Sequence, residues 1–274
     1  MTADPSSISS LENAPLGNTF IEYLKSRDEM FERQKQKQLQ EFLTLHNINT
    51  HSEEAYLYTF AFVAGGWTQQ TPEALRNDYY VKTLQEASQT DFSDFDAYDT
   101  RHSHRKQAAY YTPDALNDLD NLKVKGEHVD SFTEFFQQLH RIERDSNDDV
   151  EAFDVAMNSI KNQSQFRRLS AFDFLEFIVR SLSHKWLLPD HLKLDYLKDN
   201  KPEEGFELLF DINFGDPRAE ELLRLVEDYG REKLGMPEVD VIFDIESCLC
   251  ELKKAEEDDI LEENLHPEDH ASNC

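Results

Sequence analysis

The chain has 274 residues, 39% of them hydrophobic, with 19 Phe and 10 Tyr, enough to bury the core of one large domain or two small ones. Its 56 acidic residues against 28 basic give a formal net charge of −28 and a pI of about 4.6, a field that repels nucleic acid and anionic lipid unless positive groups gather locally. The longest apolar runs fall far short of a membrane span, and no membrane partner is expected.

The start, Met1-Thr-Ala-Asp-Pro-Ser-Ser7, carries no basic or apolar segment, so no secretory signal is expected. Three cysteines make no disulfide framework, which predicts a reducing, cytoplasmic location. The acid is spread along the chain rather than confined to a tail. That fits a high-salt cytoplasm, where repulsion is screened within a few Å and the charge no longer weighs against DNA.

Residues 1–16 are rich in Ser, Pro and Asn and are expected to be disordered. Thr19 to His46 reads as one long helix, with Phe20, Leu24, Phe31, Leu39, Phe42 and Leu43 as a broken apolar stripe. Ser52-Glu-Glu opens a second helix, almost wholly apolar from Tyr56 to Val63 and ended by Gly65-Gly66. A third is predicted from Thr71 to Ala87, with Thr71 as the cap and Pro72 in the first turn. Residues 88–112 read as a long surface loop, where Asp91 to Asp99 alternates acid with aromatic residues. The densest basic cluster follows, Arg101-His-Ser-His-Arg-Lys106, then Tyr110 and Tyr111. Arg101 and Arg105 are candidates for phosphate, with a tyrosine to stack on a base; the competing reading is a solvated loop that offsets nearby acid. His102 and His104 have no cysteine nearby, and no metal site is expected. Helices resume at Ala115–Leu122, Phe132–Ile142 and Val150–Ile160, with Arg144 to Asp149 as the best domain boundary. Strands are expected to be few or absent.

Phe166 to Arg180 is apolar on more than one side and predicts an inner helix, with Glu176 and Arg180 an ordinary pair one turn apart. Arg167 and Arg168 open it and either face phosphate or pair with acid. Leu188-Pro-Asp190 is a turn, and a short helix runs to about Leu197. Asp199 to Gly205 then reads as a turn opening a helix over Phe206–Phe210, the shape of a helix-hairpin-helix element that holds a DNA phosphate on backbone N–H groups. An amphipathic helix is predicted over Ala219–Leu234 and a last one over Glu238–Lys254; residues 256–274 form an acidic tail. At ~100° per residue, Asp240, Asp244, Ser247 and Glu251 share one polar face of that last helix. Glu246 falls off it, among apolar residues. A carboxylate there must be paired, hydrogen-bonded or neutral, and such groups are site candidates. The plainer alternative is an ion pair with Lys253 or with an arginine of another helix. Cys250 lies one turn beyond Glu246 on the same side, whereas Cys248 and Cys250 point in different directions and make neither a disulfide nor a metal pair. No dinucleotide, Walker or zinc-protease motif is present, so no cofactor is expected.

The order and spacing of Phe166-Arg-Arg-Leu-Ser-Ala-Phe-Asp-Phe-Leu-Glu176, Leu188-Pro-Asp190, Lys201-Pro-Glu-Glu-Gly205 with Leu209-Phe210, and Glu246-Ser-Cys-Leu-Cys250 with Lys254 resembles the alpha-glutamyl/putrescinyl thymine pyrophosphorylase family, clade 3. The resemblance covers roughly residues 150–255. It implies an all-α fold, an orthogonal multi-helix bundle whose C-terminal core, residues 146–255, is like that of the helix-hairpin-helix DNA glycosylases; the helical spacing before it marks a helical region over 17–145. It implies DNA as partner and a small amine or amino acid as donor. The donor displaces pyrophosphate from a pyrophosphorylated 5-hydroxymethyl pyrimidine lifted out of the stack. On that reading Glu246 takes the amine proton or orients the amine, Arg168 or Lys254 receives the pyrophosphate, Arg167 contacts phosphate, and Cys250 lines the pocket or, at the extreme, acts as a nucleophile. A glycosylase on the same core and a non-catalytic all-α interaction module are the alternatives.

Overall fold

The computed structural model describes residues 9–27, 31–95, 112–145, 151–163, 166–198 and 201–257. The fold is all-α. In chain order the helices are α1 (Ser9–Glu12), α2 (Gly17–Lys25), α3 (Phe31–Leu45), α4 (Glu53–Ala64), α5 (Gln70–Asn77), α6 (Leu84–Gln89) and α7 (Thr112–Asn117). A two-stranded hairpin, β1 (Lys123–Val124) and β2 (Glu127–His128), comes next. Then follow α8 (Phe132–Asp145), α9 (Ala152–Ile160), α10 (Arg168–Ser181), α11 (Leu194–Leu197), α12 (Lys201–Phe210), α13 (Ala219–Asp228) and α14 (Glu238–Glu257). Contacts divide the chain into two units, Lys35–Pro189 and Met1–Gln34 with Asp190–Cys274. Both flanks of the Arg144–Asp149 segment lie in the first of these, and residues 146–150 are outside the described residues.

In the 35–189 unit, α4 is buried along its whole length from Ala55 to Ala64, which is why its sequence is apolar on every side. Phe60 stacks on Phe166 with ring centroids 4.2 Å apart and meets Phe174 of α10 edge-on at 5.6 Å. Ser52 caps α4 by accepting the Ala55 N–H at 3.3 Å. The first carboxylate of α4, Glu53, accepts N–H groups from Leu84 at 3.1 Å, Phe132 at 3.0 Å and Thr133 at 2.7 Å. One side chain thus satisfies orphan donors at the starts of both α6 and α8, where a negative charge also complements the helix dipoles.

Several boundaries differ from the sequence reading, each for a local reason. The single helix predicted over Thr19–His46 is two: α2 stops at Lys25, where the Ser26 hydroxyl and N–H both turn back to the Glu22 carbonyl. The helix predicted over Thr71–Ala87 is also two. Tyr80 between them takes a positive φ of 57°, and Thr83 restarts the chain with a capping box, exchanging bonds with Glu86. Thr71 sits inside α5, not at its cap. The helix before the hairpin opens at Thr112, where the Thr112-Pro-Asp sequence suits a helix start, and the Thr112 hydroxyl donates to the Ala64 carbonyl at 3.0 Å.

In the other unit α14 packs against α2, α12 and α13. The Lys201–Gly205 segment is not a turn but the opening of α12. Its glycine serves a close approach: a Cβ at Gly205 would overlap the Leu249 carbonyl oxygen of α14. Only glycine lets these two helix backbones come so near.

Candidate active site

Helix α14 carries the densest set of buried ionisable side chains in its unit. Asp240, Asp244, Glu246, Ser247, Glu251 and Lys254 are all buried, so its polar face is an interior face rather than a solvated one. The cations that make this tolerable come from the start of the chain. Arg33, on α3, donates from Nη2 to Asp240 at 2.5 Å and to Asp244 at 2.9 Å. Arg27, just past α2, places Nε 3.9 Å from Asp240 and 3.8 Å from Asp244. One turn further along, Lys254 pairs with Glu251 at 2.7 Å, their side chains only 5% and 7% exposed. Tyr23 of α2 borders this end; burial first, then the charges of Glu251 and Cys248, push its phenol up to about 12. The result is a desolvated arrangement of alternating charge, where each interaction is stronger than in water and each missing partner is costly.

Glu246 is buried as expected, with 5% of its surface exposed. Lys253 is taken up elsewhere, by Glu256 at 2.7 Å and Glu204 at 3.3 Å. Cys250, half-buried, follows Glu246 by one turn, and Cys248 is fully buried; neither is in a disulfide. The candidates Glu246, Cys250 and Lys254 therefore lie on one helix of one unit. Arg167, exposed, and Arg168, half-buried, stand at the start of α10 in the 35–189 unit. Arg101 and Arg105 lie outside the described residues, as do His102, His104, Tyr110 and Tyr111. Among the described residues, no group of three or more His, Cys, Asp or Glu side chains is placed to hold a metal ion. No described helix is long and apolar enough to cross a membrane.

Sequence reasoning missed Arg27, Arg33 and Tyr23. The one signal was the spacing of Asp240 and Asp244, two acids one turn apart that would repel each other unless a cation joined them. Which cation did so could not be read, because Arg33 is 207 residues from Asp240 and 211 from Asp244.

A family described as amino acid:DNA transferase has a sequence model that matches residues 25–259. The chain belongs to this family. No curated protein and no solved structure matches it. The family match reaches well beyond the 150–255 span on which the sequence resemblance rests. It takes in most of the N-terminal half and includes Arg27, Arg33 and the whole of α14. The amino acid:DNA transferase assignment therefore spans both units and every described candidate residue.

Proposed function

We propose that this amino acid:DNA transferase joins an amine or amino acid to a pyrophosphorylated 5-hydroxymethyl pyrimidine in DNA and releases pyrophosphate. The observation that carries the reading is the family match over residues 25–259, which contains the buried carboxylate helix. In the reaction the donor nitrogen forms a bond to the exocyclic methylene carbon, and the bond from that carbon to the pyrophosphate oxygen breaks. The electron pair leaves with pyrophosphate, and the nitrogen gives up a proton.

Glu246 takes that proton, the role of a carboxylate general base placed beside the reacting amine. Lys254, held ready by Glu251, exchanges that carboxylate for the departing pyrophosphate, whose developing charge needs a fixed cation. Arg27 and Arg33 keep the neighbouring acids neutralised, so that the pyrophosphate meets less repulsion. Cys250, one turn beyond Glu246 on α14, sits beside the reacting groups. Arg167, exposed at the start of α10, contacts backbone phosphate.

Mass spectrometry of nucleosides from cells carrying the precursor base, with the wild-type protein or Glu246→Gln, tests the reading. A mass-shifted pyrimidine present with the wild type and absent with the variant is the expected result, and its mass names the donor. Abasic sites without a new nucleoside would indicate a glycosylase instead. Identical digests from both strains would overturn the catalytic reading.

A further inference from the structure

A second feature lies in the 35–189 unit, where the β1–β2 hairpin borders α9. A cleft of about 530 Å³ opens there, lined among others by Asn121, Lys123, Lys125, Asn158, Asn162 and Gln163. No carboxylate lines it, in a chain with 56 acidic residues against 28 basic. Neither lysine is ion-paired among the described residues. Residues 125 and 126 adopt positive φ values of 50° and 87°, and the glycine lets the hairpin turn tightly and bring both lysines to the same cleft. From α9 and the turn after it, Asn158 and Asn162 are spaced one helical turn apart and so share a face.

Gln163 makes the cleft more than a basic patch. It is 4% exposed; its Nε2 donates to the Ser159 carbonyl at 3.2 Å, and its Oε1 has no hydrogen-bond partner among the described residues. A buried acceptor without a donor is an uncommon and costly state. A ligand that suits this lining carries negative charge for the lysines and an N–H for the amide oxygen. A free amino acid brings one carboxylate but sets its own ammonium near two lysines. A DNA strand brings successive phosphates together with base edges that both donate and accept.

We infer that this cleft holds a DNA strand, with Lys123 and Lys125 on phosphates and the amide side chains on a base edge. The inference rests on DNA being the substrate, as proposed above, and assigns one surface that grips it.

The test is fluorescence anisotropy with the full-length protein and a labelled single-stranded oligonucleotide across a range of salt. Replacing Lys123→Gln and Lys125→Gln together should weaken binding at least fivefold at low salt. It should also flatten the plot of log affinity against log salt by about 1.4, at about 0.7 for each phosphate that no longer meets a lysine. Lys123→Arg with Lys125→Arg should bind as the wild type does, which separates the effect of charge from that of misfolding. Asn158→Ala with Asn162→Ala should weaken binding and leave the slope unchanged. Wild-type binding with no change of affinity or slope in the glutamine variant would overturn the inference and leave the proposed reaction standing. A rise in KM for the donor amino acid, with DNA affinity and slope unchanged, would overturn it in favour of a donor pocket. Failure of the wild type to bind any DNA would remove the DNA-substrate reading and the inference together.

Discussion

Among the described helices, α10 and α14 both bury charge, and they neutralise it differently. On α10, in the 35–189 unit, Glu176 finds Arg180 one turn along the same helix at 2.9 Å, both side chains 4% exposed, and Gln36 adds a hydrogen bond at 2.8 Å. On α14, in the other unit, Asp240 and Asp244 depend on arginines from the beginning of the chain. The first is a local solution that forms as the helix forms. The second exists only after residues more than two hundred positions apart have come together, so α14 reaches its working electrostatics only in the complete unit. The lesson is that a buried charge with a partner one turn away is readable as structure, whereas a buried carboxylate set closed by distant cations marks a place the whole unit is built around.

The largest effect is expected from removing one distant cation. Arg33→Ala leaves Asp240 and Asp244 buried and short of positive charge, and should destabilise the protein by ~3–5 kcal/mol in urea unfolding. Adding Asp244→Asn should restore part of that loss, with a coupling of ~0.5–3 kcal/mol. If the two changes simply add, Arg33 is not what neutralises Asp244.

A second difference is in pH response. In the 35–189 unit, His184 accepts the Trp186 indole N–H at Nδ1 at 3.1 Å. Its Nε2 lies 3.2 Å from His51 Nδ1 and 3.1 Å from the Tyr56 hydroxyl. Burial, then the His51 and His140 charges, push its imidazole down to about 4. The unfolded chain therefore takes up the proton first. Stability from this group is whole above the ordinary histidine value of 6.5 and is lost as pH falls toward 4. At about 1.4 kcal/mol per pH unit the loss is of the order of 3 kcal/mol. Urea unfolding followed from pH 7 to pH 4 should show that slope, and His184→Gln should flatten it. An unchanged slope in the variant would locate the acid sensitivity elsewhere.

The smallest of these effects concerns the close approach of α12 to α14. Gly205→Ala sets a methyl group against the Leu249 carbonyl and should destabilise by ~1–3 kcal/mol, read as a lowered urea midpoint. A neutral result would mean that the helices can part at little cost.

Much of the fold was legible. The bounds of α4 and the start of α14 follow from apolar spacing, the Ser52 cap and the glycines after Ala64, whereas α14 runs one turn past the predicted Lys254 to Glu257. The breaks at Ser26 and Tyr80 were not, because they are made by a side chain turning back on its own carbonyl and by a tyrosine in left-handed backbone, without the proline or glycine that usually marks such points. The Lys201–Gly205 segment looked like a phosphate-binding turn because its proline and glycine suit one. In fact the proline suits the first turn of α12 and the glycine suits a helix contact. Of the candidate site, face counting on α14 singled out Glu246 correctly as a buried carboxylate. It could not show that Asp240, Asp244 and Glu251 are buried too, since that depends on which segments cover the face.

The most direct measurement mixes the purified protein, DNA carrying the pyrophosphorylated base and an isotopically labelled amino acid, and counts pyrophosphate released against label joined to DNA. Equal amounts of the two are expected with the wild-type protein, and loss of both with Glu246→Gln at an unchanged unfolding midpoint. Label transfer that persists in the variant, or pyrophosphate released without label entering the DNA, would contradict the proposed reaction.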